Sequence, residues 1–388
     1  MAVASFGAAL LPAIAWDHPR ERDRCELIHR PAKIPIQSDW SPDLSYHPLR
    51  VRDVIRETHD TLSYVLDVPS ELAERFRYRA GQFLTFKVPT ADGELLRCYS
   101  LSSAPETESA PKVTVKLVPG GRGSGWFHAQ VKPGATLQVM QPAGRFVLHD
   151  SERPLLLFAG GSGVTPVLSL IKAALLTTKR RIRLFYANRD AESVIFAAEL
   201  EALAKQHSGR LETLHHLDRE LGLTSRPEIE RVHGGFEQAD AYLCGPGPFM
   251  ELVEQVLLGR GHSRDHLWIE RFEGVGEPSQ PGPGPAATGP APSAGGVPGE
   301  VVVHLDKTVH RIRYAKGLSL LAAARKAGLG APFACEEGYC GSCAAKCVRG
   351  KVTMLANDVF TPEEVAEGWI LTCQGHAEGD ECEISWDV

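Results

Sequence analysis

Hydrophobic and polar positions divide the chain into regions of different period. From about Pro48 to Leu148 the apolar residues fall in short runs, FLTFKV (83–88), KVTVKLV (112–118) and TLQVMQ (136–141), separated by Gly and Pro. Such runs predict short strands, and their spacing predicts a small antiparallel barrel. From about Arg153 the pattern changes. The apolar run PLLLFAGG is followed by the helically spaced VLSLIKAALL, RIRLFYA by FAAELEALAKQ, and AYLCGPG by FMELVEQVLL. Strands alternating with helices predict a parallel sheet with helices on both faces.

Residues 274–299 hold 8 Gly and 7 Pro. A segment of that composition buries no core and reads as a linker, spanning roughly 25–30 Å root-mean-square if flexible. Beyond it VVVHLD and HRIRY predict a hairpin around Asp306 and Lys307, and LSLLAAARKAG a helix capped by Ser319 and stopped at Gly328. Mixed strands with one helix predict a compact α+β domain. The chain is therefore expected to be multidomain: an N-terminal extension at 1–47, an antiparallel β-barrel at 48–150, an α/β parallel-sheet domain at 151–273, the linker at 274–299 and an α+β domain at 300–388. The extension has no sustained period. Its apolar start, MAVASFGAALLPAIAW, lacks the basic opening of a signal peptide. It reads as a tail, with a short helix docking on a membrane surface or a partner as the alternative.

Charge and composition exclude more than they identify. A net charge of −6 gives no case for nucleic-acid binding. No run approaches the ~18 apolar residues of a membrane span. Of nine cysteines, four (Cys335, Cys340, Cys343, Cys347) are clustered, which points to metal or cluster ligation rather than a disulfide framework. Thiolate ligands need a reducing home, so a cytoplasmic location is expected.

The cysteine spacing is the strongest chemical signal. In CEEGYCGSC, four residues separate Cys335 from Cys340 and two separate Cys340 from Cys343, with Cys373 downstream. This is the plant-type 2Fe–2S spacing. Three thiolates on one tight loop must point inward at two irons, and Gly338, Gly341 and Ser342 let backbone amides approach the sulfurs. A zinc site would want a second close pair, and Cys373 stands alone. Cys347 and Cys382 are competing ligands and read as buried thiols. A cluster moves one electron and a nicotinamide gives up two, so a flavin between them is the expected splitter.

Candidate flavin residues lie in RCYSLSSAP (97–105). Arg97 offers a bidentate pyrophosphate clamp, Tyr99 an aromatic face and Ser100 a hydroxyl for the flavin N5, with Cys98 between them. PGGRGSG (119–125) precedes the helical WFHAQV and offers an anion cradle. AGGSGVTP (159–166) follows a buried strand and opens a helix, which suits a pyrophosphate on the helix start at Gly160, Gly161, Gly163, Thr165 and Pro166. It departs from the G-x-G-x-x-G fingerprint by ending in Pro. CGPGPFM (244–250) ends the third strand of its domain, where Cys244, Gly245 and Pro246 would let a nicotinamide approach. At YANRD, Arg189 would suit a 2′-phosphate and Asp190 a free ribose 2′-hydroxyl.

RCYS, GGRGS, GGSGVTP, CGPGPFM and CEEGYCGSC occur in the order of the ferredoxin–NADP reductase superfamily with a C-terminal ferredoxin. YANRDAESVIFAAEL, APFACEEGYCGSC and GKVTMLANDV look most like the reductases of 3-ketosteroid 9α-hydroxylases. The chain also resembles the reductase component of phenylacetyl-CoA epoxidase. The resemblance spans about residues 48–388. It implies an FAD barrel, a NAD(P)-binding domain and a β-grasp ferredoxin. It also implies that Arg97, Tyr99 and Ser100 bind FAD with Gly121, Gly123 and Ser124 of the second loop. Thr165 would sit near flavin and nicotinamide, and Phe272 would cover the flavin unless it is a packed core residue. Gly125 stands where the family usually has a larger residue, which would loosen that loop. NADH is favoured as donor, with NADPH possible.

The expected activity is NAD(P)H-dependent electron transfer through FAD and the cluster to a terminal oxygenase or desaturase. Ser100 and Thr165 are the candidate catalytic residues. A self-contained NAD(P)H oxidase or ferric reductase, and a redox sensor signalling through its cluster, are the alternatives. From Val352 to Val388 there are nine Asp or Glu and no Lys or Arg. That stretch reads as a solvated acidic face or as a docking surface for a basic partner.

Overall fold

The computed structural model describes residues 45–90, 93–272, 298–336, 338, 340–357 and 359–387. The expectations for the first 44 residues and for most of the linker lie outside the described residues.

The first sheet joins β1 (His47–Thr58), β2 (Thr61–Asp67), β3 (Phe83–Thr90), β4 (Gly93–Ser100), β5 (Lys112–Lys116) and β6 (Thr136–Val139). Their spatial order is β4-β3-β6-β1-β2-β5, and every pairing is antiparallel. Period-2 alternation explains the core: Leu84, Phe86 and Val88 of β3 point inward beside Tyr64 and Leu66 of β2. Leu101, just past β4, bridges to Val113 of β5 and so ties the two edges of the sheet. The three strand runs legible in the sequence are all present. Strands β1 and β4 escape a reading by period because the charges interrupting HPLRVRDVIRET and GELLRCYS hide their alternation, and β2 because TLSYVLD is buried on both faces and does not alternate. Helix α1 (Arg122–Gln130) begins at the glycine-rich segment and buries Phe127 under this sheet.

The second sheet contains β7 (Leu155–Gly160), β8 (Ile182–Asn188), β9 (Leu211–Leu217), β10 (Asp240–Gly245) and β11 (Leu267–Arg271). All pairings are parallel, in the order β11-β10-β7-β8-β9. Between and after them run α2 (Val164–Thr177), α3 (Ala197–Gln206), α4 (Asp218–Leu221), α5 (Arg226–His233) and α6 (Gly247–Gly259). Successive residues of β7 serve opposite cores: Leu155, Leu157 and Ala159 pack with α2, Leu156 and Phe158 with α6. Burial on both faces is why these strands read as unbroken apolar runs. The chain winds outward from β7 in both directions, so the switch point falls between the C-terminal ends of β7 and β10. That is where open α/β sheets bind ligands.

The third sheet holds β12 (Glu300–Leu305), β13 (Thr308–Arg313), β14 (Ala344–Met354), β15 (Trp369–Leu371) and β16 (Gly375–Ser385), in the order β13-β12-β16-β14-β15. Only the β12–β16 pair is parallel. Asp306 and Lys307 have φ of 53° and 59°, the paired left-handed turn of a two-residue hairpin. Helix α7 (Leu320–Lys326) is capped by the Ser319 hydroxyl, which accepts from the Ala322 N–H at 3.1 Å. It is followed by Gly328 at φ 80°. Helix α8 (Pro362–Ala366) opens on a capping box between Thr361 and Glu364.

Candidate redox site

At the switch point two turns interlock without side chains. A β-carbon on Gly163 would stand 2.1 Å from the Cys244 carbonyl oxygen, and one on Gly245 2.9 Å from the Gly160 nitrogen. On Gly160 it would lie 2.6 Å from Pro246 Cδ. The β7–α2 and β10–α6 turns are thus pressed backbone to backbone, and Gly161 adopts φ +52°. No side chain caps α2, and its first amide, the Val164 N–H, donates to the Gly161 and Ser162 carbonyls of the glycine turn that opens on the crevice. Thr165 is buried and its hydroxyl donates to the Ser162 carbonyl at 3.0 Å, while Pro166 lies in the first turn.

Strand β4 presents different chemistry on its two faces. On one, Arg97 packs over Gly123, where a β-carbon would come within 2.9 Å of its Cγ. Tyr99 lies edge-on to Phe127 with ring centroids 5.0 Å apart. Burial pulls the Arg97 guanidinium below its usual range and pushes the Tyr99 phenol above its own. Ser124 accepts from the Val118 N–H at 3.1 Å, and the space beside Gly121 is filled by the Ser124 hydroxyl, 2.7 Å from where a β-carbon would stand. Of the expected loose loop at 119–125, residues 122–125 are instead the first turn of α1. Gly125 donates its N–H to the Gly121 carbonyl at 2.9 Å, and that helical bond removes the looseness its small size suggested.

On the other face of β4 the buried Ser100 hydroxyl donates to the Glu270 carboxylate at 3.2 Å. Cys98 meets Thr85 at 3.3 Å and also reaches the Cys340 thiol. Tyr46 lies beside Ser342 of the cysteine loop. Residues two apart on one strand therefore face the end of β11 and the cysteine loop. Sequence reasoning misses Glu270. Its only sequence signal is the acid of a Glu-Arg pair closing a strand that starts apolar, LWIER, whose meaning depends on what that strand end meets. Phe272, just past β11, is 41% exposed, which removes the packed-core reading.

At the end of β8, Asp190 accepts from the backbone N–H of Ser193 at 3.0 Å and from its hydroxyl. Its second oxygen pairs with Arg189 at 3.2 Å and Arg219 at 2.9 Å. The Ser193 bonds hold the Asp190 carboxyl below its ordinary value, with both guanidinium groups contributing. Neither amide atom of the buried Asn188 finds a partner among the described residues. A bound group carrying both a donor and an acceptor fits that strand end.

The four cysteines form two pairs. The Cys340 sulfur accepts from the backbone N–H groups of Cys335 and Ser342, each at 3.4 Å. Cys343 and Cys373 share a thiol–thiol hydrogen bond that lowers the first and raises the second. Cys335, Cys340 and Cys343 all act electrostatically on Cys373. Among the described residues no group of three or more His, Cys, Asp or Glu converges as around a single ion. Two thiol pairs, with backbone amides already aimed at sulfur, fit a two-iron cluster that these four cysteines would hold.

Family models match each region. That for the oxidoreductase FAD-binding domain covers residues 48–148, that for the oxidoreductase NAD-binding domain 157–255, and that for the 2Fe-2S iron-sulfur cluster binding domain 303–378. Fold and site together define a three-domain reductase that carries FAD, binds a pyridine nucleotide and holds a 2Fe–2S cluster. The chain is 40% identical over 339 residues, 87% of its length and 96% of the relative's, to the ferredoxin reductase component of 3-ketosteroid-9-alpha-monooxygenase from Rhodococcus rhodochrous. It is 33% identical to a component of the 1,2-phenylacetyl-CoA epoxidase from Escherichia coli, covering 85% of this chain and 94% of that one. Phthalate dioxygenase reductase shares the fold, with a TM-score of 0.55 at 24% identity over 88% of this chain and 98% of that one. The chain belongs to the family of reductase components that pass electrons from NAD(P)H through FAD and a 2Fe–2S cluster to terminal oxygenases. No helix among the described residues is long and apolar enough to cross a membrane.

Proposed function

We propose that this reductase serves a terminal monooxygenase acting on a steroid-type ring substrate, with NADH as the preferred donor and the cytoplasm as its compartment. The partner class rests on the 40% identity to the steroid monooxygenase component. The observation that carries the internal relay is β4, whose Ser100 meets Glu270 beside the nucleotide crevice while Cys98 meets cluster ligand Cys340.

Bound FAD supplies the conversion from a two-electron donor to a one-electron acceptor. The chain supplies binding, orientation and protons. Arg97, with Gly121, Gly123 and Ser124 of the α1 start, would hold the FAD pyrophosphate, Tyr99 on the same face of β4 would line the ring site, and Cys98 on the opposite face would stand between that site and the cysteine loop. Gly160, Gly161, Gly163, Thr165 and Pro166 cradle the nucleotide phosphates, and Cys244, Gly245 and Pro246 leave room for the nicotinamide. Ser100, fixed by the buried Glu270, keeps a hydroxyl at the flavin edge, and Thr165 lies across the crevice from it. Phe272, exposed just past β11, would cover the flavin ring. Cys335, Cys340, Cys343 and Cys373 hold the cluster. Asp190 accepts from the ribose 2′-hydroxyl and keeps Arg189 and Arg219 in ion pairs that compete with a 2′-phosphate.

In the finer architecture, the Leu101–Val113 bridge supports a closed barrel at 48–150. The mixed sheet with α7 packed on it supports a β-grasp unit at 300–388. The segment 151–273 is the nucleotide domain, 274–299 the linker and 1–47 an extension.

Anaerobic mixing of the holoprotein with NADH tests the relay. Flavin bleaching followed by the paramagnetic signal of the reduced cluster is expected, then reduction of a steroid monooxygenase. A cluster that stays oxidised while the flavin is reduced sinks the relay. Equal efficiency with NADPH sinks the donor assignment.

A further inference from the structure

Two cysteines of the third sheet take no part in the cluster, and the fold brings them together. Cys347 lies on β14 and Cys382 on β16, strands that pair antiparallel. The register runs Cys347 to Ile384, Arg349 to Glu383 and Gly350 to Cys382, skipping Val348. That skip is a bulge. Val348 is left unpaired and 58% exposed, and the strand bends there. Across the bulge the Cys347 sulfur reaches forward along its own strand, 3.5 Å from the Arg349 carbonyl oxygen and 3.7 Å from that of Gly350. Gly350 is the residue opposite Cys382, and the two thiols share a hydrogen bond.

The pair is asymmetric. Cys382 is 3% exposed inside the apolar core of this domain, whereas Cys347 is half-buried, so the reading of both as buried thiols holds for Cys382 alone. Cys347 packs at the edge of that core, partly open to solvent. The hydrogen bond from Cys382 brings the Cys347 thiol down to about 7 against the cost of burial, and the same bond raises Cys382. Arg349 on β14, itself near Glu381 and Glu383 of β16, is the neighbouring cation. An accessible thiol of lowered pKa beside a buried resolving thiol is the arrangement of a redox-responsive pair.

We propose that Cys347 and Cys382 form a redox dithiol, separate from the cluster ligands, that closes to an intrachain disulfide in response to hydrogen peroxide. Peroxide is the two-electron product of O2 that an oxygenase system releases when electrons miss the substrate. The Cys347 sulfur attacks one peroxide oxygen, the O–O bond breaks, and the departing hydroxide is protonated to water, leaving Cys347 as the sulfenic acid. The Cys382 sulfur then attacks that sulfur, the S–O bond breaks, and the second hydroxide leaves as water with the Cys382 proton. Two thiols lose two electrons, peroxide gains two, and two waters form. A thiol reductant reverses the change.

The test uses the holoprotein with flavin and cluster bound. It is treated with a few equivalents of hydrogen peroxide, alkylated, digested without reduction and read by mass spectrometry. The expected product is a linked peptide pair containing Cys347 and Cys382, lighter than the two thiol peptides by two hydrogens, lost on dithiothreitol treatment, with the visible cluster absorption retained. In Cys347→Ser the linked pair is absent and Cys382 stays fully alkylatable. Recovery of both cysteines alkylated after peroxide overturns the proposal. So does Cys347 driven to the sulfinic acid while Cys382 stays free, or a link that forms only after the cluster bleaches. The wild-type readout stands without any variant.

Discussion

In the crevice between β7 and β10 the contacts are backbone on backbone, and a single methyl on Gly163 would collide with the Cys244 carbonyl. In the ferredoxin domain the site is instead made of added side chains, four thiols in two pairs with amides aimed at the Cys340 sulfur. The first site works by removing atoms so that a cofactor and two turns can share space. The second works by supplying ligands at fixed points. Sites of the first kind fail when anything is added, and those of the second when anything is taken away.

The largest effect should come from taking away a thiolate. Cys343→Ser should lose the cluster signal and cut partner reduction by about a hundredfold or more. NADH-driven reduction of ferricyanide, which can draw on the flavin alone, should persist. Equal loss of both activities would show that the ferredoxin domain supports the flavin site as well. Next, Ser100→Ala should slow flavin reduction in stopped flow by about tenfold, a loss of about 1.4 kcal/mol. Its cluster potential should not move. Adding a methyl comes third: Gly163→Ala should raise the KM for NADH several-fold and lower stability by about 2 kcal/mol through overpacking. Dithionite reduction of the cluster should be unchanged, and a normal KM would refute the interlock.

The smallest effect is a pH dependence shared by several histidines. Burial lowers His149, His215, His233, His262 and His376, whereas His216, despite its burial, is raised by Glu228 and the Gly222 carbonyl. A histidine with a depressed folded value binds more protons unfolded than folded between its two values, so stability rises with pH there. His216 acts oppositely, its contribution being lost as pH rises through its folded value. Five against one predicts that the thermal midpoint falls as pH drops from about 7 to about 5. A flat or rising midpoint would mean that His216 outweighs the rest.

The two sites also differ in how much of them the chain discloses. Ligation needs particular residue types at particular spacings, so CEEGYCGSC announces its chemistry, and the four cysteines do sit in one place. The glycines of GGSG and CGPG are visible as glycines, but their mutual contact joins residues about 80 positions apart, which no local period encodes. Glu270 is illegible for the same reason, since it acts on Ser100 from another domain. Strand β4 is hidden because charged and polar residues, Glu94, Arg97 and Ser100, break up its apolar positions. The helix start at Arg122 escapes notice because glycines there imitate a loop.

Helix α2 carries one further consequence. Before its last residue, Thr177, it is apolar apart from a stripe at Thr165, Ser169 and Lys172, spaced four and three residues apart and so on one side of the helix. Thr165 stands at the crevice. Ser169 accepts from the Gly81 N–H at 3.1 Å and donates to the Ser103 carbonyl. Lys172, 5% exposed, grips Glu108 at 3.1 Å and the Ser102 carbonyl at 3.3 Å. One rigid rod about 10 Å long from Thr165 to Lys172 thus reaches the crevice at its tip and bolts onto the first sheet's domain along its shaft. The gap across which the two redox rings must meet is therefore gauged by a single piece of secondary structure.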